Sequence, residues 1–285
     1  MEALMRMLIP VDRHTYSQYV VTQASHLARN TWADVSILGV GGSHDEDISA
    51  MMDAHRRDFL QAFNATDSPY GEASSAYNII QTKKGCSELV YDGVNARKSL
   101  KAKMRHGNPA KEILAESEEA EIDLIVIGST SGKGFKWIGH EDTPQKILKN
   151  AQCSVLLAKE ERKPKMIVCC LDHASVSQAS IELINQLVTL NQAELEIVGV
   201  TGGDGLKYEV DRKIAKILKY FTDCDIKAWI RLVDSTSLPA FINQTAEENL
   251  VALWMGKESF LDKIFFHQRI DSLLSASESS ILILR

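Results

Sequence analysis

Asp12 and Asp172 each close an apolar run of strand length, RMLIPVD over Arg6–Asp12 and KMIVCCLD over Lys165–Asp172. An aspartate so placed stands at the carboxyl edge of its strand, where ligands of open α/β sheets bind. The same residue can cap the helix that follows; the sequence leaves both roles open for Asp12 and favours capping for Asp172. His140, Glu141 and Asp142 are of metal-ligand type, but consecutive side chains diverge and do not converge on one ion, so no metal site is expected. Thr201-Gly202-Gly203-Asp204-Gly205 follows a strand and precedes a helix, as a dinucleotide fingerprint does. Tyr208 stands where the third glycine belongs, and the unit is the second strand of its half, so the segment reads as a flexible loop. Cys169 and Cys170 are neighbours in one apolar run; they point to opposite faces and read as core thiols. No spacing argues for a Ser–His–Asp or Cys–His arrangement, and no catalytic residue is assigned.

The elements that must position these residues occur twice. Asp12 and Asp172 are 160 positions apart, and the same offset carries Asp34–Val40 (DVSILGV) onto Glu194–Val200 (ELEIVGV). Leu124–Gly128 (LIVIG) has its counterpart in Ala252–Gly256 (ALWMG), and Ser154–Leu157 in Ser280–Ile283. Helical spacing lies between the strands, as in Ile181, Ile184, Leu187, Val188 and Leu190. Alternating strands and helices predict βαβ crossovers. The expected fold is therefore α/β: two repeated open parallel five-stranded sheets with helices on both faces, in domains over 1–159 and 165–285 joined by the charged linker KEERKPK. Asp12 to Gly128 spans 116 positions and Asp172 to Gly256 only 84, so the first half carries 32 more, placed after Gly39. The excess predicts a helix from Ser43 and then an insertion near 65–96, a surface hairpin or helical turn with few core contacts in its later part. Lys101, Lys103 and Arg105 alternate with Leu100, Ala102 and Met104, which suits a solvated edge strand.

Composition narrows the function classes. Apolar residues make up 45% and charged residues 25%, enough apolar content for real cores. The net charge of −6 argues against nucleic acid as a partner. No apolar run approaches the ~18 residues of a membrane span, and MEALMRMLIPVD has no signal-peptide pattern. Five cysteines without paired spacing suit a reducing compartment, so a cytoplasmic location is expected.

Several of these segments together resemble the universal stress protein family: the strand ending in Asp12, HGNPAKEI at His106–Ile113, DLIVIGS at Asp123–Ser129 and KILKNAQCSVLL at Lys146–Leu157. The resemblance spans nearly all of the first half; the second half shares element order and few motif residues. It implies a tandem protein with an adenine nucleotide alpha-hydrolase-like fold. Because such domains dimerise through their last strand, it also implies an internal pseudo-dimer formed by the two closing strands, and a homodimer of the chain beyond that.

Many members bind ATP through G-x-x-G, nine residues, then G-[ST], whose glycines let backbone amides approach phosphates beside a helix N-terminus. Carried onto this chain, the motif begins at Gly128, with Ser129 beside it and Ser131 at the second position; Asp12 and Val40 fall at the adenine end. Glu141 and Asp142 replace the last two motif residues, while Thr143 reads as the cap of the next helix with Pro144 in its first turn. A phosphate within ~4 Å of either carboxylate meets ~4 kcal/mol of repulsion at an effective dielectric near 20. That opposes a micromolar affinity of ~8 kcal/mol unless a magnesium ion bridges the charges. From Gly256 the second half runs to its last strand without another glycine. The resemblance thus implies a non-enzymatic stress-response module that acts on a protein partner and has no resident cofactor. The alternative is ATP or AMP bound in the first domain only, with slow hydrolysis.

Overall fold

The computed structural model describes residues 5–41, 45–63, 68–71, 76–92, 96–140, 142–159, 163–170, 176–201, 208–255, 271, 273–275 and 277–285. The chain folds as two compact units, Met1–Thr130 with Lys136–Glu160, and Ser131–Phe135 with Glu161–Arg285.

In chain order unit 1 comprises β1 (Arg6–Val11), α1 (Thr15–Thr31), β2 (Asp34–Gly41), α2 (Asp45–Gln61), β3 (Tyr77–Lys83), β4 (Cys86–Tyr91), β5 (Leu100–His106), α3 (Pro109–Glu119), β6 (Leu124–Ser129), α4 (Thr143–Asn150) and β7 (Ser154–Lys159). Five of the strands run parallel in the order β7-β6-β1-β2-β5. β1, β6 and β7 are apolar runs buried along nearly their whole length, because helices cover both faces. Local chemistry starts α3: Asn108 is its N-cap and accepts from the Lys111 N–H at 3.2 Å, and Pro109 supplies the preset φ of the first turn.

The inserted segment changes the sheet. β3 and β4 form an antiparallel hairpin, and β4 pairs antiparallel with β5. The unit 1 sheet is therefore mixed and seven-stranded rather than five-stranded, and β5 is an inner strand instead of the expected edge. The alternating bases of β5 answer to a different cause than solvent. Arg105 is buried and reaches Glu112 at 3.3 Å, Glu116 at 2.8 Å and Glu119 at 2.5 Å, while Lys103 reaches Glu116 at 2.6 Å; all three glutamates lie on α3. A basic strand face is thus paired with an acidic helix face.

Nor is the insertion short of core contacts. Leu89 and Cys86 are buried, and the Tyr91 hydroxyl donates to Asp53 of α2 at 3.1 Å beneath the Arg56 guanidinium, 3.7 Å from its ring centre. Tyr70 is buried edge-on to Phe59 and Phe63, with its hydroxyl donating to the Ala33 carbonyl at 2.6 Å. Only β3 lies open along nearly its whole length.

Unit 2 comprises β8 (Met166–Cys170), α5 (Gln178–Asn191), β9 (Glu194–Thr201), α6 (Tyr208–Asp223), β10 (Ala228–Asp234), α7 (Leu238–Thr245), β11 (Leu250–Trp254) and β12 (Ile281–Leu284). Its strands are parallel in the order β10-β9-β8-β11-β12, the same crossover pattern as the parallel core of unit 1. Ser177 caps α5 by accepting from the Ser180 N–H at 3.1 Å. Cys169 and Cys170 are fully buried, and burial pushes both thiols well up, as inert core groups require. No hairpin follows β9: β10 pairs with β9 alone among the described residues. Its Trp229 and Arg231 donate to the buried Glu196 at 2.8 and 2.7 Å.

Candidate functional site

In unit 1 the chain leaves β1 toward β2 on one side and reaches β6 on the other, so the ends of β1 and β6 flank the switch point where open α/β sheets bind ligands. Asp12 follows β1 directly, and the register Val11↔Gly39 sets it level with Val40 at the end of β2. Gly128 and Ser129 end β6. These four expected residues therefore do meet at one edge.

What they do there was not legible from spacing. Both oxygens of the Asp12 carboxylate are occupied: Oδ1 accepts from the His14 N–H at 2.9 Å and the Ser17 hydroxyl at 2.7 Å, and Oδ2 from the Tyr16 hydroxyl. The Asp12 N–H donates to Ser17 Oγ at 2.9 Å. Its carbonyl meets His55 Nε2 at 3.0 Å; a carbonyl only accepts, so Nε2 carries the hydrogen. The aspartate thus organises the start of α1. Tyr16 is 1% exposed and bridges the two sides of the switch point, because its oxygen also accepts from the Ile138 N–H at 3.2 Å. Tyr16, Ser17 and His55 escaped the sequence reading. The first two are the fourth and fifth residues past Asp12, within reach of it once a helical turn forms; His55 carried no signal.

Gly128 is needed for closeness. A Cβ there would lie 2.6 Å from the Tyr16 carbonyl oxygen and 3.1 Å from its ring. Beyond it the chain folds back on itself: Ser129 is buried, its Oγ accepts from the Lys136 N–H at 2.9 Å, and the Thr130 N–H donates to the Lys136 carbonyl at 3.4 Å. The buried Lys159 ammonium donates to the Thr130 carbonyl at 3.3 Å. Gly132, Gly134 and Gly139 take φ of 87°, 76° and 81°, a region open to glycine. Ser131 is exposed and belongs to unit 2, whereas Gly128 and Ser129 belong to unit 1.

Asp142 rather than Thr143 is the N-cap residue of α4, with φ −88° and ψ 1° and no side-chain cap bond; Thr143 opens the first turn. The Asp142 carboxylate is drawn instead to Lys146 Nζ at 2.5 Å, and that hydrogen bond holds its carboxyl below the usual range. Glu141, Asp172, the Gly202–Gly205 loop and residues 256–270 lie outside the described residues.

The Asp12 acceptors, the Ser129 hydroxyl and the Ile138 N–H are already paired, and the Tyr16 ring fills the space against Gly128.

The fold and the organised carboxyl edge are those of an α/β protein of the nucleotide-binding type in tandem form. The family model for the universal stress protein family matches residues 4–159, and the chain belongs to that family. It is similar to a universal stress protein of Methanocaldococcus jannaschii, 36% identical over 64 residues, which cover 22% of this chain and 38% of that one. It is also similar to the Bacillus subtilis universal stress protein YxiE, 25% identical over 165 residues, covering 54% and 98% of the two chains. Among solved structures, a universal stress protein from Archaeoglobus fulgidus superposes with TM-score 0.62 at 13% identity, covering 98% of this chain and 96% of that one. The cytoplasmic domain of a prokaryotic cation chloride cotransporter does so with TM-score 0.54 at 9% identity, over 99% and 95%. Among the described residues, no helix is long and apolar enough to cross a membrane.

Proposed function

We propose that this chain is a non-enzymatic regulatory or binding module of the universal stress protein type, acting on a protein partner in the cytoplasm, with its first-unit nucleotide cleft closed by its own residues. One observation carries the reading: the Tyr16 hydroxyl joins Asp12 to the Ile138 N–H and its ring packs on Gly128, so the switch point is occupied by protein. The five cysteines form no disulfide among the described residues and two lie deep in β8, which supports a reducing compartment. Domains over 1–159 and 165–285, with closing strands paired antiparallel as an internal pseudo-dimer, are supported by the repeat of element order.

A second reading keeps ATP or AMP in the first unit only. It is favoured by the left-handed Gly139, with φ of 81°, which gives the first-unit loop a conformation other residues rarely reach.

Titration calorimetry with ATP–Mg²⁺, together with nucleotide analysis of the denatured purified protein, separates the two. The closed-cleft reading expects no co-purifying nucleotide and a dissociation constant above about 100 µM, weaker than about −5.5 kcal/mol. Saturable binding at low micromolar concentration establishes the second reading instead.

A further inference from the structure

We propose that unit 1 carries a second binding site, independent of the carboxyl edge: a cleft that takes a small zwitterion of dipeptide size. It lies on the α3 side of the sheet, has a volume of about 630 Å³, and is bounded by the start of β2, by β5, by the inserted hairpin and by the last turns of α3. The hairpin creates it, because β4 and β3 extend the sheet outward beyond α3. A cleft of this size suits a small molecule.

The lining selects the chemistry. Of its charged groups, Lys103, Arg105, Glu116, Glu119 and Lys83 are spent on one another in the strand–helix ion network. Arg6 is spent on Glu121, and Asp34 Oδ1 accepts from the Ser99 N–H at 2.9 Å. Two charged side chains are left with neither an ion pair nor a hydrogen bond. The side chains of Lys101 and Glu88 make no ion pair or hydrogen bond among the described residues, with each other or with any neighbour, although both line the cleft.

Their placement follows from register. Ser36 pairs with Lys101 across β2 and β5, and Lys103 pairs with Glu88 across β5 and β4. Paired residues share a face. Lys101 and Glu88 therefore project from adjacent strands on the cleft side, two residues out of step. Two residues along a strand is about 6.8 Å and one strand spacing about 4.8 Å, which puts their backbones ~8 Å apart. An extended dipeptide places its ammonium and carboxylate ~7 Å apart. The ligand's carboxylate lies toward Lys101 and the hydroxyls of Ser36 and Ser99, and its ammonium toward Glu88.

The same lining disfavours other classes. Among the described residues it contains no aromatic ring on which a nucleobase could stack. A metal ion would have to take Glu116 and Glu119 from Arg105 and Lys103.

The full chain is titrated with L-alanyl-L-alanine, followed by calorimetry and by amide chemical shifts. Saturation is expected below about 1 mM, with shifts at Ser36, Cys86 and Lys101. Glu88→Gln and the N-acetylated dipeptide, which each remove one end of the ammonium contact, weaken binding at least about tenfold, and together no more than either alone. Lys101→Gln and the C-terminal amide behave likewise at the other end. Neither side chain has a partner among the described residues, so unchanged circular dichroism and melting accompany both variants. No saturation by about 10 mM, affinity unmoved by either variant, or shifts centred on Tyr16 and Gly128 each overturn the proposal.

Discussion

Replacing Gly128 with alanine tests whether that glycine serves packing. Its added Cβ meets backbone, the Tyr16 carbonyl at 2.6 Å, which cannot rotate away as a side chain could. The substitution is expected to cost about 1–3 kcal/mol in chemical denaturation even with no nucleotide present. Stability within about 0.5 kcal/mol of the parent would return Gly128 to a ligand role alone. Tyr16→Phe keeps the ring and removes the oxygen, leaving Asp12 Oδ2 and the Ile138 N–H without their partner. A loss of about 1–2 kcal/mol is expected from the same measurement. The charge argument is tested apart from the closure: if carboxylates alone exclude phosphate, Glu141→Gly with Asp142→Ser tightens ATP–Mg²⁺ binding about tenfold, or 1.4 kcal/mol. Because Asp142 is already drawn to Lys146, the closed-cleft reading expects a smaller gain.

The β3–β4 hairpin is asymmetric, and its two strands should answer differently. Leu89 is 2% exposed on the inner strand, whereas Ile79 is 44% exposed on the outer strand. Leu89→Ala is expected to cost about 2–4 kcal/mol and Ile79→Ala under about 0.5 kcal/mol. Equal effects would mean that the hairpin packs as a unit or not at all. Acid should loosen the same element. The hydrogen bond from Lys83 and then that from Arg105 hold the Glu119 carboxyl below its ordinary value near 4.5. A carboxyl depressed in the folded state adds stability that is fully present above its unfolded pKa and lost as pH falls through the folded one. Glu119 is half exposed and solvent screens it, so the readout is local: hydrogen exchange in β3 and β4 should speed up as pH drops below 4.5, more than in β1 or β6. Uniform acceleration through the sheet would assign the acid response elsewhere.

For the whole molecule the pseudo-dimer makes a separable prediction. If the two closing strands pair, each half left alone exposes an apolar edge of the kind that pairs with another chain. Segments 1–159 and 165–285, produced together as separate chains, are expected to co-purify as a one-to-one complex on size exclusion. Two soluble monomers that ignore each other would refute the pairing.

How much of this was written in the sequence differs by element. Strands β1, β2, β6 and β7 and their counterparts β8, β9, β11 and β12 were legible because parallel strands buried on both faces need unbroken apolar runs, and those runs recur in order. The family followed from the same runs together with His106–Ile113. Fates of individual polar residues were not legible, because they depend on partners distant in sequence. Lys103 and Arg105 have the alternation of a solvated edge; only the approach of α3 turned them into a buried ion network, and only the hairpin made β5 an inner strand. Asp12 has the position of an adenine contact. Its turn toward Tyr16, with Ile138 from 126 residues further along closing the other side, was settled in three dimensions, where a carboxylate and a backbone N–H find whichever partners the fold brings within about 3 Å.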